Sequence, residues 1–143
     1  MALRPGITFE MLNQRGTGRL PGLVGFRVTA FDEGRIDAEL DIRPDLLAPN
    51  GYLHAATVIA LADTACGYGC ISNLPEGATG FTTVELKSNF IGTALDGTIA
   101  TVARAAHVCN ATTLAAKHAR NGMMDERIGS RLGPNARRDG RKH

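Results

Sequence analysis

The sequence contains no tryptophan, and aromatic residues make up only 5% of its 143 residues. Apolar residues still reach 43%, so the core must be built mainly from Ala, Val, Ile and Leu. Only three cysteines are present, an odd number without zinc-finger spacing, which argues against a disulfide framework. Cys66 and Cys70 are four positions apart, where helix geometry disfavours a disulfide, so we expect buried, reduced thiols rather than a redox pair.

The N-terminal residues MALRPGITFEML lack the apolar core of a signal peptide. We also find no apolar run of the roughly 18 residues that a membrane-spanning helix needs. The length predicts one domain. These features predict a cytoplasmic protein without a membrane partner.

Charge is unevenly distributed along the chain. The net charge is +2, but residues 117–143 contain eight Lys/Arg and three Asp/Glu, so the excess of positive charge belongs to this end. A basic end can bind a polyanion, but it is more often a solvated, disordered segment. We therefore predict a domain over residues 1–116, a basic tail over 117–143, and no nucleic-acid partner.

The hydrophobic pattern predicts a mixture of helix and antiparallel strands. Residues 35–42 alternate strictly between apolar and charged side chains, which is typical of a strand with one buried face. The predicted helices cover residues 7–15 and 55–72, and the predicted strands cover 24–31, 35–42, 81–91 and 98–108, with a shorter candidate at 112–116. One long apolar helix among such strands indicates an α+β fold in which a sheet wraps around the helix.

Between Asp45 and Glu76 the only charged side chain is Asp63, in the middle of the predicted long helix. A carboxylate in such an apolar segment is costly unless it is paired or used. Asp63 is therefore a candidate general base or nucleophile, although it could also lie at a helix edge and contact water.

The start of this helix is the second candidate element. His54 precedes it, so the N–H groups of Ala55 and the next residues lack partners within the helix, and such groups bind negative charge. Asp63 is nine positions after His54, or about 13 Å along a helix. One chain cannot bring both to one small group, so we predict that two chains pair their helices antiparallel in an isologous dimer.

Three ordered motifs together resemble the hotdog-fold acyl-CoA thioesterases of the phenylacetate-degradation (PaaI) type. They are Pro49-x-Gly51-x-Leu53-His54, Leu61-Ala62-Asp63-Thr64-Ala65 and Thr82-Thr83-Val84-Glu85-Leu86-Lys87-x-Asn89-Phe90. The resemblance covers about residues 20–108. It implies a curved antiparallel sheet around a central helix, a homodimer or homotetramer, an acyl-CoA substrate, and no metal or cofactor beyond the CoA of the substrate.

The resemblance also implies roles for single residues. Asp63 would activate water or attack the thioester carbonyl, the N–H of Ala55 would stabilise the oxyanion, and His54 would order the thioester end. Thr83 would supply a hydroxyl. Substrate contacts would come from residues in the preceding loop and on the following strand, namely Asn50, Gly51, Lys87 and Asn89.

The chain departs from the family pattern at three places. Ala55-Ala56 replaces the usual Gly-Gly, and Ala48 replaces a polar residue that orients water, a role that Asn50 could fill. Residues 109–143 do not match the family's last strands. Besides hydrolysis of a small or aromatic acyl-CoA, two alternatives stay open: a hotdog hydratase or dehydratase, and a non-catalytic or defective acyl-CoA binder.

Overall fold

A computed structural model describes residues 2–108 and 113–120, with side chains from residue 2 to residue 106. The chain forms two short helices, two strands, a 3-10 turn, one long helix and two further strands. In order these are α1 Phe9–Gln14, α2 Leu20–Val24, β1 Arg27–Asp32, β2 Arg35–Asp41, the turn Pro44–Leu46, α3 Ala55–Ser72, β3 Thr98–Val108 and β4 Thr113–Arg120.

The four strands form one antiparallel sheet in the order β1-β2-β3-β4. The predicted apolar face of β2 is confirmed, because Ile36, Ala38 and Leu40 are buried and the residues between them are more exposed. In the register, Leu40 lies opposite Ile99 of β3, which is also buried. Helix α3 packs against β2, β3 and β4 and completes the core. The predicted α+β class is therefore confirmed.

Helix α3 has 18 residues and the length and composition of a membrane-spanning segment, with 44% of that window buried inside the protein. The expectation that no apolar stretch is long enough to span a membrane is therefore wrong. Its packing explains the composition, since Val58, Leu61 and Ala65 are at most 1% exposed. A helix that is covered by a sheet needs apolar side chains on the covered face for the same reason as a helix in lipid.

The bounds of α3 and of β3 agree with the predicted 55–72 and 98–108. Helix α2 was missed, because its glycines indicated a loop. Pro21 fits the first turn of this helix, and Gly25 ends it in the left-handed conformation with a φ of 78°. Gly22 lies so close to the backbone of Gly16 that a side chain there would clash.

The predicted strand over 81–91 is wrong for the sheet that the structure describes, because these residues belong to no described strand. Their alternating pattern is real, but a strand exists only when another strand supplies its hydrogen bonds. Of the candidate at 112–116, residues 113–116 belong to β4, which continues to Arg120, past the predicted domain boundary at 116, and residue 112 lies outside the described residues. Of the predicted tail, residues 121–143 lie outside the described residues.

Candidate active site

The start of α3 is fixed by the loop that precedes it. The carbonyl of Leu46 accepts hydrogen bonds from the His54 N–H at 3.0 Å and from the buried Thr57 hydroxyl at 3.2 Å. The Leu53 N–H donates to the carbonyl of Ala94 at 2.8 Å. Three bonds to two different segments therefore hold the first turn of the helix in place.

His54 is the N-cap of α3. Its ring Nδ1 accepts the Ala56 N–H at 3.0 Å, and its carbonyl accepts the Thr57 N–H at 2.9 Å. Nδ1 acts as an acceptor here, so in the neutral ring the proton sits on Nε2. Among the described residues the Ala55 N–H has no partner. Ala55 is exposed, so this N–H is available to a ligand oxygen.

Asp63 lies in the middle of α3 and is half-buried. Its Oδ1 accepts a hydrogen bond from the Thr83 hydroxyl at 3.0 Å. Within the described part of the chain no group bonds Oδ2. One carboxylate oxygen is thus held in place while the other has no described hydrogen-bond partner.

The structure brings Asp63 and Thr83 together but does not bring them to His54 and Ala55. Because α3 is continuous from Ala55 to Ser72, nine residues separate His54 from Asp63 along one straight element. That separation is about 13 Å. The described chain therefore contains two separate groups of predicted site residues, here called half-sites, one at the helix start and one at the carboxylate.

The predicted substrate-binding residues divide between these half-sites. Asn50 and Gly51 form the tip of the loop before His54; the Asn50 side chain accepts the Tyr52 N–H at 3.2 Å, and Gly51 has a φ of 86°. The turn therefore uses the side-chain carbonyl oxygen of Asn50. Lys87 and Asn89 are exposed on the segment after Thr83 and contact no described residue by hydrogen bond or ion pair.

Two features of the site were not predicted. A Cβ on Gly67 would lie 2.7 Å from the Phe81 ring, so the glycine is what lets Phe81 rest one helical turn beyond Asp63. The second feature is the Thr57 hydroxyl, which anchors the helix start. The sequence carried a signal for the first feature only, because a glycine inside an apolar helix often marks the close approach of another segment.

Other polar side chains on α3 have structural roles. Tyr68 packs edge-on against Phe26 at 5.1 Å between ring centres, and burial raises the pKa of its hydroxyl although Arg15 lowers it. Cys66 and Cys70 are half-buried, whereas burial was expected, and neither forms a disulfide in the described structure. In the described ranges no three His, Cys, Asp or Glu side chains lie close enough together to hold a metal ion.

Residues 50–120 match the sequence profile of the Thioesterase superfamily. The matched stretch contains both half-sites. It also extends past residue 108, where the sequence resemblance was expected to stop, and ends with β4. Among curated proteins none matches the chain significantly.

Solved structures of thioesterases share the fold. A Pseudomonas aeruginosa thioesterase in which a glutamine is replaced by alanine has a TM-score of 0.83 at 21% identity, over 90% of this chain and 94% of that one. A Haemophilus influenzae thioesterase has a TM-score of 0.82 at 21% identity, over 90% of this chain and 91% of that one. A phenylacetic acid degradation-related putative thioesterase from Ralstonia eutropha has a TM-score of 0.71 at 17% identity, over 82% of this chain and 95% of that one. The hotdog fold is therefore confirmed.

Proposed function

We propose that this protein hydrolyses the thioester of a small or aromatic acyl-CoA to a free acid and CoA, as in thioesterases of the PaaI type. It acts as a cytoplasmic homo-oligomer and needs no cofactor beyond the CoA of its substrate. The observation that carries the proposal is the geometry of Asp63. It is the one carboxylate of an otherwise uncharged helix, with Oδ1 held by Thr83 and Oδ2 unbonded in the described structure.

The Ala55 N–H supplies the second chemical group. A free N–H at the start of a helix is a donor for the oxyanion that forms when a thioester carbonyl is attacked. Because about 12 Å separates this donor from Asp63 in one chain, the complete site needs the Ala55 N–H of the partner subunit. This is the reason for proposing an isologous dimer.

The reaction follows from these two groups. In the general-base route Asp63 takes a proton from water while the water oxygen bonds to the carbonyl carbon, and the oxyanion accepts the Ala55 N–H of the partner subunit. The C–S bond then breaks and CoA leaves as a thiol after receiving the proton. In the nucleophilic route the carboxylate itself bonds to the carbon, the C–S bond breaks and CoA leaves as a thiolate. Water then hydrolyses the resulting anhydride, which releases the free acid, restores the Asp63 carboxylate and supplies the proton that CoA takes up. Both routes need the same Oδ2.

Thiol release over a panel of acyl-CoAs tests the proposal. The Asp63→Asn variant should lose at least about 100-fold in kcat, because a positioned general base contributes 10²–10⁴-fold. Glu76→Gln is the matched control, since it makes the same change on an exposed loop. Wild-type turnover by Asp63→Asn would contradict the proposal.

One observation favours a second candidate, a non-catalytic acyl-CoA binder. In a Staphylococcus aureus thioesterase, a glutamine and a glutamate that are fifteen positions apart have each been replaced by alanine. In this chain Ala48 and Asp63 have the same separation. The Ala48 backbone bonds Tyr52 and Gly51 in the loop before the helix, and its methyl group cannot orient water. CoA binding in calorimetry without thiol release, with release appearing in Ala48→Gln, would favour this candidate.

A further inference from the structure

Thr57 lies in the first turn of α3 and is only 6% exposed, although its side chain is polar. Its hydroxyl donates a hydrogen bond to the carbonyl of Leu46 at 3.2 Å, and its backbone N–H donates to the carbonyl of His54 at 2.9 Å. Thr57 therefore connects the start of the helix to the loop before it through two donors. No step of the proposed reaction uses this residue directly.

The backbone bond of Thr57 fixes the peptide group that carries the proposed oxyanion donor. The carbonyl of His54 and the N–H of Ala55 belong to one planar peptide group, and in a trans peptide they point in opposite directions. Among the described residues no peptide bond is cis. The bond from the Thr57 N–H to the His54 carbonyl therefore also sets the direction in which the Ala55 N–H points.

The side-chain bond of Thr57 fixes the same turn relative to the loop. The Leu46 carbonyl accepts the His54 N–H at 3.0 Å as well as the Thr57 hydroxyl, so two residues of the turn are joined to one oxygen atom. Leu46 is itself held, because its side chain is buried and its N–H donates to the Arg43 carbonyl at 2.9 Å. Ala55 lies between the two joined residues, so its peptide group cannot rotate without disturbing at least one of these bonds.

The Thr57 hydroxyl is not needed to satisfy the Leu46 carbonyl. Without the hydroxyl, this oxygen still accepts the His54 N–H, so no buried acceptor is left without a donor. Removal of the hydroxyl should therefore have a modest effect on the stability of the fold. Its main effect should be on the position of the first turn of α3.

We infer that Thr57 is a positioning residue of the oxyanion site, because its two hydrogen bonds aim the Ala55 N–H at the place that the thioester oxygen occupies during the reaction. The inference rests on the proposed function, since that function assigns the oxyanion to this N–H. It adds a residue whose hydroxyl controls the rate without contacting the substrate. An oxyanion donor is effective only when it is already in place, and a displacement of about 1 Å can cost on the order of 100-fold in rate.

Steady-state kinetics of thiol release with one acyl-CoA test the inference in the full-length chain. Thr57→Val keeps the size of the side chain and removes the hydroxyl, whereas Thr57→Ser keeps the hydroxyl. We expect Thr57→Val to lower kcat about tenfold and to leave KM within about twofold of wild type, because a donor to the oxyanion acts mainly in the transition state. Thr57→Ser should keep kcat within about threefold of wild type.

Thr101→Val is the matched control for Thr57→Val. It makes the same change at a buried threonine of β3 whose hydroxyl has no hydrogen-bond partner in the described structure. Its kcat should equal that of wild type at a temperature where every variant is folded. A wild-type kcat in Thr57→Val, an equal fall of kcat in Thr101→Val, or a Thr57→Ser variant as slow as Thr57→Val would overturn the inference.

Amide hydrogen exchange, followed by NMR, tests the inference without a substrate. The N–H groups of His54 and Ala56 are bonded to the Leu46 carbonyl and to the His54 ring, so their exchange reports on the opening of the first turn. Both should exchange about tenfold faster in Thr57→Val, because the turn loses its anchor and opens locally. Exchange should be unchanged in Thr57→Ser and in Thr101→Val, and wild-type exchange in Thr57→Val would contradict the positioning role.

The two measurements separate this inference from the proposed function. Faster exchange in Thr57→Val, in a protein that releases no thiol from any acyl-CoA, would support the positioning by Thr57 while the proposed function fails. Thiol release that is lost in Asp63→Asn but unchanged in Thr57→Val would overturn the inference while the proposed function stands.

Discussion

Helix α3 and residues 79–93, here called the arm, carry the two partners of the Asp63–Thr83 hydrogen bond, but they are held in very different ways. Leu61 of α3 is fully buried, whereas Val84 of the arm is 91% exposed. The start of α3 is bonded to two other segments. The arm is bonded to the helix through the Thr83 hydroxyl and belongs to no described ladder. The comparison indicates that the Ala55 N–H at the start of α3 is fixed by bonds to neighbouring segments, whereas the orientation of the Asp63 carboxylate depends on a segment with few contacts.

Truncation of one side chain in each region gives the largest expected difference. Leu61→Ala should lower the free energy of unfolding by about 2–5 kcal/mol, because it opens a cavity in a packed core. Val84→Ala should change it by less than about 0.5 kcal/mol. Urea unfolding of both variants measures the difference. Similar losses in the two variants would show that the arm is as well packed as the helix.

Two glycines of α3 test the contact between the regions. Gly67→Ala would bring a Cβ to 2.7 Å from the Phe81 ring, so the arm must move and Thr83 with it. We expect kcat to fall about tenfold, the loss of one hydrogen bond to a charged group. Stability should change little, since alanine favours a helix by about 1 kcal/mol over glycine.

Gly69→Ala is the matched control for that variant. Its Cβ would lie 3.6 Å from Ile36, which is an ordinary contact, so stability should rise by about 0.5–1 kcal/mol with kcat unchanged. Thioesterase assays and thermal unfolding of the two variants provide the measurement. Equal kcat values would show that the Phe81 contact does not control Asp63.

Two buried threonines sharpen the comparison within the well-held region. The Thr101 hydroxyl is 2% exposed and finds no hydrogen-bond partner in the described structure, so Thr101→Val should stabilise the fold by about 1 kcal/mol. The Thr57 hydroxyl bonds the Leu46 carbonyl, so Thr57→Val should destabilise it by about the same amount. Chemical denaturation should show that the change from Thr to Val raises the free energy of unfolding at position 101 and lowers it at position 57. Changes of the same sign would contradict the hydrogen bonding assigned to the two hydroxyls.

The smallest expected effect concerns a surface carboxylate far from the site. Hydrogen bonds from Arg27 and Thr98 hold the pKa of Asp41 below its usual value of 3.8, against a smaller desolvation effect. A carboxyl group whose pKa is lower in the folded state stabilises the fold at pH values above its unfolded pKa. This stabilisation is lost as the pH falls through the folded pKa.

Asp41→Asn should therefore be slightly less stable than wild type at pH 7, and this difference should vanish as the pH falls well below about 4. Thermal unfolding across this pH range measures it. A difference that grows on acidification would contradict the predicted sign.

Much of the fold and half of the site could be predicted from sequence because the signals are local. The bounds of α3 follow from an apolar run that starts at a histidine cap and ends before Pro75. The distance between His54 and Asp63 follows from helix geometry alone. Helix α2 was missed because its glycines have two uses: one allows a close approach and one ends the helix. No local sequence pattern distinguishes these two glycines from the glycines of a loop.

The sequence by itself determined the long helix, its single carboxylate, its capping histidine and the distance between the two, since each depends on residue identity and spacing along one element. Tertiary structure decided which groups meet. It placed Thr83 on Asp63, Phe81 on Gly67 and Thr57 on the Leu46 carbonyl, because contacts between distant segments depend on packing rather than spacing. It also left 81–91 outside the described sheet, because a strand needs a neighbour that its own sequence cannot supply.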